Sequence, residues 1–393
     1  EEYWARVWER AMRIGYLYGT NTYPPRSGGS IHVFNLVRHL TARGHEIHSL
    51  GAETNPQCVV HPEGDVDGYL AAVDLLYVRI DGWFLRQSRL KIDCLDRAGD
   101  IPVVWEINAP AAEALAEQHF GRPTAHRRHR RGIRESVRDA RRARRLRRLV
   151  KAEEETRHRY AANVHSAITV SAPMAGYAAD LGIARTAVIP NGSDPDRFTP
   201  NEATPAARAA GMFTVVYAGN SQWPWQGFGL LAETARLAAA DGAPVRFVVL
   251  DNSPNPPADS LGSNVDVHSR VDYDDAPAYL ASADLALCLY HDFHWLEHGF
   301  HLSPLKLFDY MASGTAVIGS RLGQIAEVVT DGADGWLTDN DPVDIYALIR
   351  RGMQDPEQVT EMGRAARRKI LDGHTWAHVA AATEEILTAA VAG

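Results

Sequence analysis

Short apolar runs of strand length alternate with stretches of helical spacing along this chain, and the whole alternation occurs twice. Strands separated by helices must pair in parallel, and a parallel sheet needs helices on both faces. The first copy opens with a strand at 12–19, a Pro, Gly and Ser-rich loop at 20–30, and a helix at 31–42 marked by Ile31, Phe34, Leu36, Val37 and Leu40. Arg43-Gly44 ends that helix, a basic last turn followed by glycine. A strand at 46–50 closes the unit, and further strands are expected at 74–78, 101–106, 167–171 and 187–189 with a helix at 172–181. The second copy has strands at 213–218, 245–250, 265–268, 285–289 and 316–320, helices at 228–240, 276–281 and 304–311, and a helical tail from Val343. The copies part near 190–212, which implies an α/β protein with two sheets and one cleft between them.

At 393 residues, with 45% apolar and 23% charged side chains, the chain is long enough for two ordinary globular domains. The net charge of −8 gives no overall case for nucleic-acid binding. Cys58, Cys94 and Cys288 are odd in number and form no CxxC pair, which points to a reducing compartment rather than a disulfide framework or structural zinc. No apolar run approaches the ~18–20 residues of a membrane helix, and residues 1–10 do not read as a secretory signal. A cytoplasmic location is therefore expected, with peripheral contact at the inner membrane face as an option.

Four stretches follow one another along the chain: Gly28-Gly29 before a helix carrying His32; Val188-Ile189-Pro190-Asn191-Gly192-Ser193-Asp194; Val215-Val216-Tyr217-Ala218-Gly219 leading to Pro224-Trp225-Gln226-Gly227; and Ser303-Pro304-Leu305-Lys306-Leu307-Phe308-Asp309-Tyr310-Met311. Together with Glu106-Ile107-Asn108-Ala109-Pro110, they resemble glycosyltransferase family 4 over nearly the whole chain. The resemblance implies the GT-B fold, two Rossmann-like domains facing a central cleft, with the C-terminal helix returning to the first domain. The implied division is 1–195 (acceptor domain, including an Arg-rich segment at 122–159), 196–372 (nucleotide-sugar domain) and 373–393. The implied activity is retaining, metal-independent transfer from a nucleotide diphosphate sugar, UDP-sugar before GDP-sugar, to a saccharide, lipid-linked or natural-product acceptor. No cofactor is implied, since the nucleotide sugar is a co-substrate. A nucleotide-sugar-binding homologue without transferase activity, or an epimerase of the same fold, stands as the alternative.

The diphosphate of such a donor needs helix N-termini and close backbone approach. Ser303 as N-cap and Pro304 at the first helical position would leave the amides of Leu305 and Lys306 facing an anion. The other reading is an ordinary capped helix, with Lys306 a surface lysine. Asp309 replaces the second Glu of the family's Glu-x7-Glu motif, the position of a ribose clamp, and His301 replaces the first. Asn220 and Gln226 stand where the family carries an Arg and a Lys, each able to contribute about 1.5–3 kcal/mol through charge-assisted hydrogen bonds to phosphate. Arg270 is placed at the nucleotide base, and Trp223 and Trp225 either wall the donor pocket or pack between domains. In the first domain Gly28 and Gly29 permit close approach to phosphate or sugar, or form a plain turn. Glu106 and Asn108 end a strand, where open α/β sheets bind ligands. Glu106 is expected in the catalytic pocket, as a base or as a stabiliser of positive charge, with Asn108 orienting. Asp274-Asp275 reads as a helix N-cap rather than a metal site.

The Arg-rich segment predicts one long helix over 133–155. It reads as a solvated helix paired to Glu153–Glu155, as a contact for an anionic membrane, or as a surface for an acidic acceptor or partner. Nucleic acid is set aside because no aromatic residues interleave with the arginines.

Overall fold

The computed structural model describes residues 11–19, 22–82, 85–113, 133–202, 211–253, 256, 261–291 and 298–393. The chain divides into two compact units. The first comprises Glu1–Pro190, Trp295–Leu302 and Val379–Gly393, and the second Asn191–His294 and Ser303–His378.

In the first unit, β1 (Arg13–Leu17), β2 (Glu46–Leu50), β3 (Cys58–His61), β4 (Leu75–Ile80), β5 (Val103–Ile107), β6 (Ser166–Thr169) and β7 (Thr186–Val188) form one seven-stranded sheet in the order β3-β2-β1-β4-β5-β6-β7. Every pairing is parallel. All six residues of β4 are buried, as a strand covered on both faces requires. The helices are α1 (Gly28–Ala42), α2 (Val66–Ala71), α3 (Arg89–Arg97), α4 (Ile133–Ala161) and α5 (Ala172–Asp180). A capping box starts α1. Ser27 Oγ accepts from the Ser30 amide, and Ser30 Oγ accepts from the Ser27 amide at 2.8 Å. Of α2 the sequence shows only a helix end at 70–73, and strand β3 and helix α3 were not legible individually: β3 is short, with two exposed valines, and it sits at the sheet edge.

The second unit holds β8 (Phe213–Gly219), α6 (Phe228–Ala240), β9 (Val245–Asp251), β10 (Val265–Ser269), α7 (Ala276–Ala281), β11 (Leu285–Cys288), α8 (Leu305–Ala312), β12 (Ala316–Ser320), α9 (Gly323–Val328), β13 (Gly335–Thr338), α10 (Pro342–Gln354) and α11 (Pro356–Gly373). Its six strands are ordered β10-β9-β8-β11-β12-β13, again all parallel. The helical tail is three helices, the last being α12 (Trp376–Ala392). Residues 379–393 of α12 belong to the first unit, where Glu384 pairs with Arg43 and lies 2.8 Å from His45. Each unit buries a core of Val, Leu, Ile and aromatic residues against its sheet. In each, strand order reverses beside the first strand, between β1 and β4 and between β8 and β11, so ligand sites are expected beyond the C-terminal ends of those strands.

Candidate functional site

In the second unit the candidate residues gather at this reversal. Gly219 leaves room for two side chains, since a Cβ there would stand 2.6 Å from Gln226 Oε1 and 2.7 Å from the Tyr217 hydroxyl. Gly227 has φ +68 and passes so close to Leu289 that a Cβ would stand 2.6 Å from Leu289 Cβ. The loop between them is thus pressed against the strand ends. Gln226 Oε1 accepts from the Asn220 amide at 2.9 Å, and Asn220 Oδ1 accepts from the Gln222 amide at 3.0 Å. Both expected donor contacts therefore use these oxygens to shape the loop. The Trp223 and Trp225 rings lie half-buried with centroids 4.6 Å apart.

Helix α8 starts one residue later than expected. Pro304 is its N-cap, at φ −71 and ψ 109, and no side chain caps the first turn. Ser303 is not the cap. Its Oγ accepts from the Asn191 amide at 2.9 Å, and its carbonyl accepts from Asn191 Nδ2 at 2.7 Å, joining the Pro-Asn-Gly turn to the start of α8. Among the described residues no side chain takes up the Leu305 or Lys306 amide.

Lys306 is not a surface lysine. Its ammonium sits 4.7 Å from the Tyr217 ring centroid, 4.9 Å from that of Tyr290, and 3.4 Å from Gln226 Oε1. Among the described residues it makes no ion pair, and burial pulls its pKa down to about 8. One turn along α8, Asp309 is 7% exposed and accepts from Ser193 Oγ at 2.6 Å. Burial pushes its carboxyl up to about 7, against the opposing pull of Ser193 and Arg197. Arg197 itself lies 2.8 Å from Asp274. Asp275 occupies the N-cap position of α7 but makes no side-chain cap bond, a correction to the capping expectation. Arg270 is exposed, adopts φ +53, and bonds its amide to the Asp251 carbonyl at the C-terminal end of β9.

In the first unit, Glu106 is 1% exposed at the C-terminal end of β5. Oε2 accepts from the Tyr16 hydroxyl. Oε1 accepts from Arg79, and from Asn108 Nδ2 at 2.6 Å, with His32 Nε2 at 3.0 Å. Burial raises its pKa, but Arg79, His32 and Tyr16 outweigh that and hold it well below the usual carboxylate range. A carboxylate so fully bonded keeps its charge and accepts a proton poorly, which favours the charge-stabilising reading of Glu106 over the base reading. Asn108 is one of the donors that fix its Oε1. Lys91, also buried, donates to the Arg79 carbonyl at 2.6 Å. Gly28 and Gly29 lie exposed at the start of α1, where a Cβ on Gly29 would stand 3.9 Å from Arg79 Nη2. His301 is 1% exposed in the first unit. Its carbonyl accepts from Ser171 Oγ at 2.7 Å, and its Nε2 stands 3.5 Å from Glu113.

Sequence reasoning passed over Arg79, Tyr16, Tyr217, Tyr290 and the Ser193 hydroxyl. A lone arginine in the apolar run Leu75-Leu76-Tyr77-Val78-Arg79-Ile80 was a usable signal, since a buried charge demands a partner. The tyrosines carried none.

Helix α4 extends to Ala161, beyond the expected 155, and residues 122–132 of the Arg-rich stretch lie outside the described residues. Its inner face is an anchor. Glu153 and Arg157, both 0% exposed, pair at 2.8 Å. Arg157 donates to the Asp81 and Ala109 carbonyls at 2.8 and 2.9 Å, while Glu153 accepts from the Leu85 amide at 2.8 Å. The arginines between 141 and 148 do not pair with Glu153–Glu155. Among the described residues no group of His, Cys, Asp and Glu could hold a metal ion, and no helix is long and apolar enough to cross a membrane.

Residues 26–197 match Glycosyltransferase Family 4, and residues 205–385 match a Glycosyl transferase-like family. The chain is similar to the MMP alpha-(1->4)-mannosyltransferase of Mycolicibacterium hassiacum, 29% identical over 252 residues, which are 61% of this chain and 57% of that protein. The chain thus spans little more than half of that relative. Among solved structures, the sucrose-phosphate synthase of Thermosynechococcus elongatus superposes with a TM-score of 0.66 at 16% identity, over 96% of this chain and 98% of that one. HepE of Anabaena, solved in complex with UDP-glucose, does so with 0.65 at 14% identity, over 96% and 100%. These likenesses show the fold.

Proposed function

The chain belongs to the GT-B glycosyltransferases, with a Glycosyltransferase Family 4 domain in its first unit, and on that premise we propose that it transfers a sugar, with retention, from a nucleotide diphosphate sugar to a hydroxyl acceptor. The observation that carries the donor half is the pair on α8. Lys306 is a half-buried cation with no ion-pair partner among the described residues, and Asp309 is a buried carboxyl three residues on. Three residues of helix advance about 4.5 Å, which sets a cation and a hydroxyl acceptor side by side. A nucleoside diphosphate supplies what each lacks: phosphate oxygens for the ammonium, and two ribose hydroxyls that donate to the carboxylate. The uncapped amides at the start of α8 add to the phosphate site.

In this reading Lys306 and the amides hold the diphosphate as it departs and stabilise its growing charge, so binding proceeds without a metal ion. No protein nucleophile is assigned. The leaving phosphate takes the acceptor proton, and Glu106 acts as a fixed negative charge in the acceptor unit. A UDP-sugar is the favoured donor, in line with the UDP-glucose complex of HepE, and the acceptor is a saccharide, a glycolipid or a natural product. The second reading, a nucleotide-sugar binder without turnover, draws on Asn220 and Gln226, neutral and engaged in their own loop. Calorimetric titration with UDP, GDP and dTDP, first without metal and then with magnesium, tests the site. Nucleotide release from the matching sugar donor, with the product anomer assigned by NMR, tests turnover and retention. No binding by any of the three nucleotides would overturn the proposal, and binding without release would leave the second reading.

A further inference from the structure

The outer face of α4 has no role in the transferase reading. Arg141, Arg142, Arg144, Arg145, Arg147 and Arg148 are all exposed, and none makes an ion pair among the described residues. Leu146, among them, and Val150, just beyond, turn inward against Ala111. Six guanidiniums thus lie within about 10 Å of helix axis, roughly one Debye length at 0.1 M salt, so their fields add. This occurs on a chain whose net charge is −8. Like charges at i, i+3 and i, i+4 destabilise a helix, yet this helix has a rigid footing, because the Glu153–Arg157 pair is fixed to the backbone at Asp81, Leu85 and Ala109.

We propose that this arginine face docks the protein on an anionic lipid bilayer. Guanidiniums pair with phosphate through two parallel hydrogen bonds. The exposed residues from 141 to 159 include no Phe, Tyr, Trp, Leu, Ile or Val. The face therefore lacks the buried apolar or aromatic anchor on which a protein interface depends, and it lacks the stacking platforms of a single-stranded nucleic-acid site. A bilayer needs neither, since fluid headgroups rearrange around each charge. With no exposed apolar residue to insert among the described residues of this face, the attachment is electrostatic, reversible and steeply salt-dependent. The proposal is independent of the transferase activity.

The test is co-sedimentation of the full chain with vesicles of phosphatidylcholine alone and with vesicles enriched in phosphatidylglycerol, over a salt series. One basic residue near such a surface changes partition about fivefold, so Arg141→Gln, Arg145→Gln and Arg148→Gln together lower it on the order of a hundredfold. A control triple in the second unit, Arg236→Gln, Arg350→Gln and Arg364→Gln, removes the same charge elsewhere and binds like the wild type. Equal sedimentation with both vesicle types, salt-independent binding, or an equal loss in the control triple would overturn the proposal. So would binding to duplex DNA tighter than to the anionic vesicles at the same salt. The wild-type salt series needs no variant, so the proposal stays refutable if the arginine triple fails to fold.

Discussion

Replacing Lys306 with methionine separates a ligand-binding cation from a structural one, because the two roles predict opposite signs. Methionine keeps the length and apolar body of the side chain between Tyr217 and Tyr290 and removes the charge. Without ligand, the half-buried, unpaired ammonium is a burden. Its pKa falls from 10.5 to about 8, and at about 1.36 kcal/mol per unit that is about 3 kcal/mol of destabilisation. The sign follows from linkage. Below the folded pKa both states are charged and the full penalty applies; above the unfolded pKa neither is charged and it vanishes. At pH 7 the substitution removes the penalty but also loses two cation–π contacts, together about 1–2 kcal/mol. The net expectation is a ligand-free protein more stable by about 1 kcal/mol, a rise in Tm of about 2–4 °C for a unit of this size. Bound nucleotide loses a charge-assisted contact of about 1.5–3 kcal/mol, a rise in Kd of about 10- to 150-fold. Thermal melts with and without UDP, plus calorimetry, read both quantities. A lower Tm with unchanged nucleotide affinity would make Lys306 a packing residue and remove the basis of the donor site.

Asp309→Asn probes the other half of the pair. Because the folded carboxyl titrates at about 7 against 3.8 unfolded, the native state holds the extra proton between those values and stability falls as pH rises through that window. The variant is expected to flatten this decline in melts from pH 4 to 8 and to bind UDP more weakly. An unchanged slope would show that the carboxyl is not held protonated. Glu106→Gln leaves the Arg79 guanidinium buried without its counter-charge, and urea unfolding should register a loss of about 3–5 kcal/mol. Adding Arg79→Met to that variant should recover part of it. A Glu106→Gln protein of wild-type stability that had lost only turnover would restore the base reading.

The alternation of strands and helices, and most element positions, were legible because local periodicity carries them. The runs at 46–50, 228–240, 276–281 and 316–320 became elements with those bounds. Strand β3 and helices α3 and α9 were hidden by shortness and mixed polarity, where propensity gives way to packing. The family resemblance located α8 and the end of β5, but it could not state what their side chains touch. Two parallel sheets, the reversal loops and the presence of Lys306, Asp309 and Glu106 at their edges could all be read from residue order. Tertiary structure alone decided that Ser303 bonds Asn191, 112 positions away, instead of capping its own helix. It likewise decided that Asp309 meets Ser193 across 116 positions, and that Glu106 meets Tyr16 across 90 and Arg79 across 27. The physical reason is range. Hydrogen-bond periodicity acts over a few residues and is written in local order, whereas the charge state of a buried group depends on which distant partners the fold brings within about 3 Å.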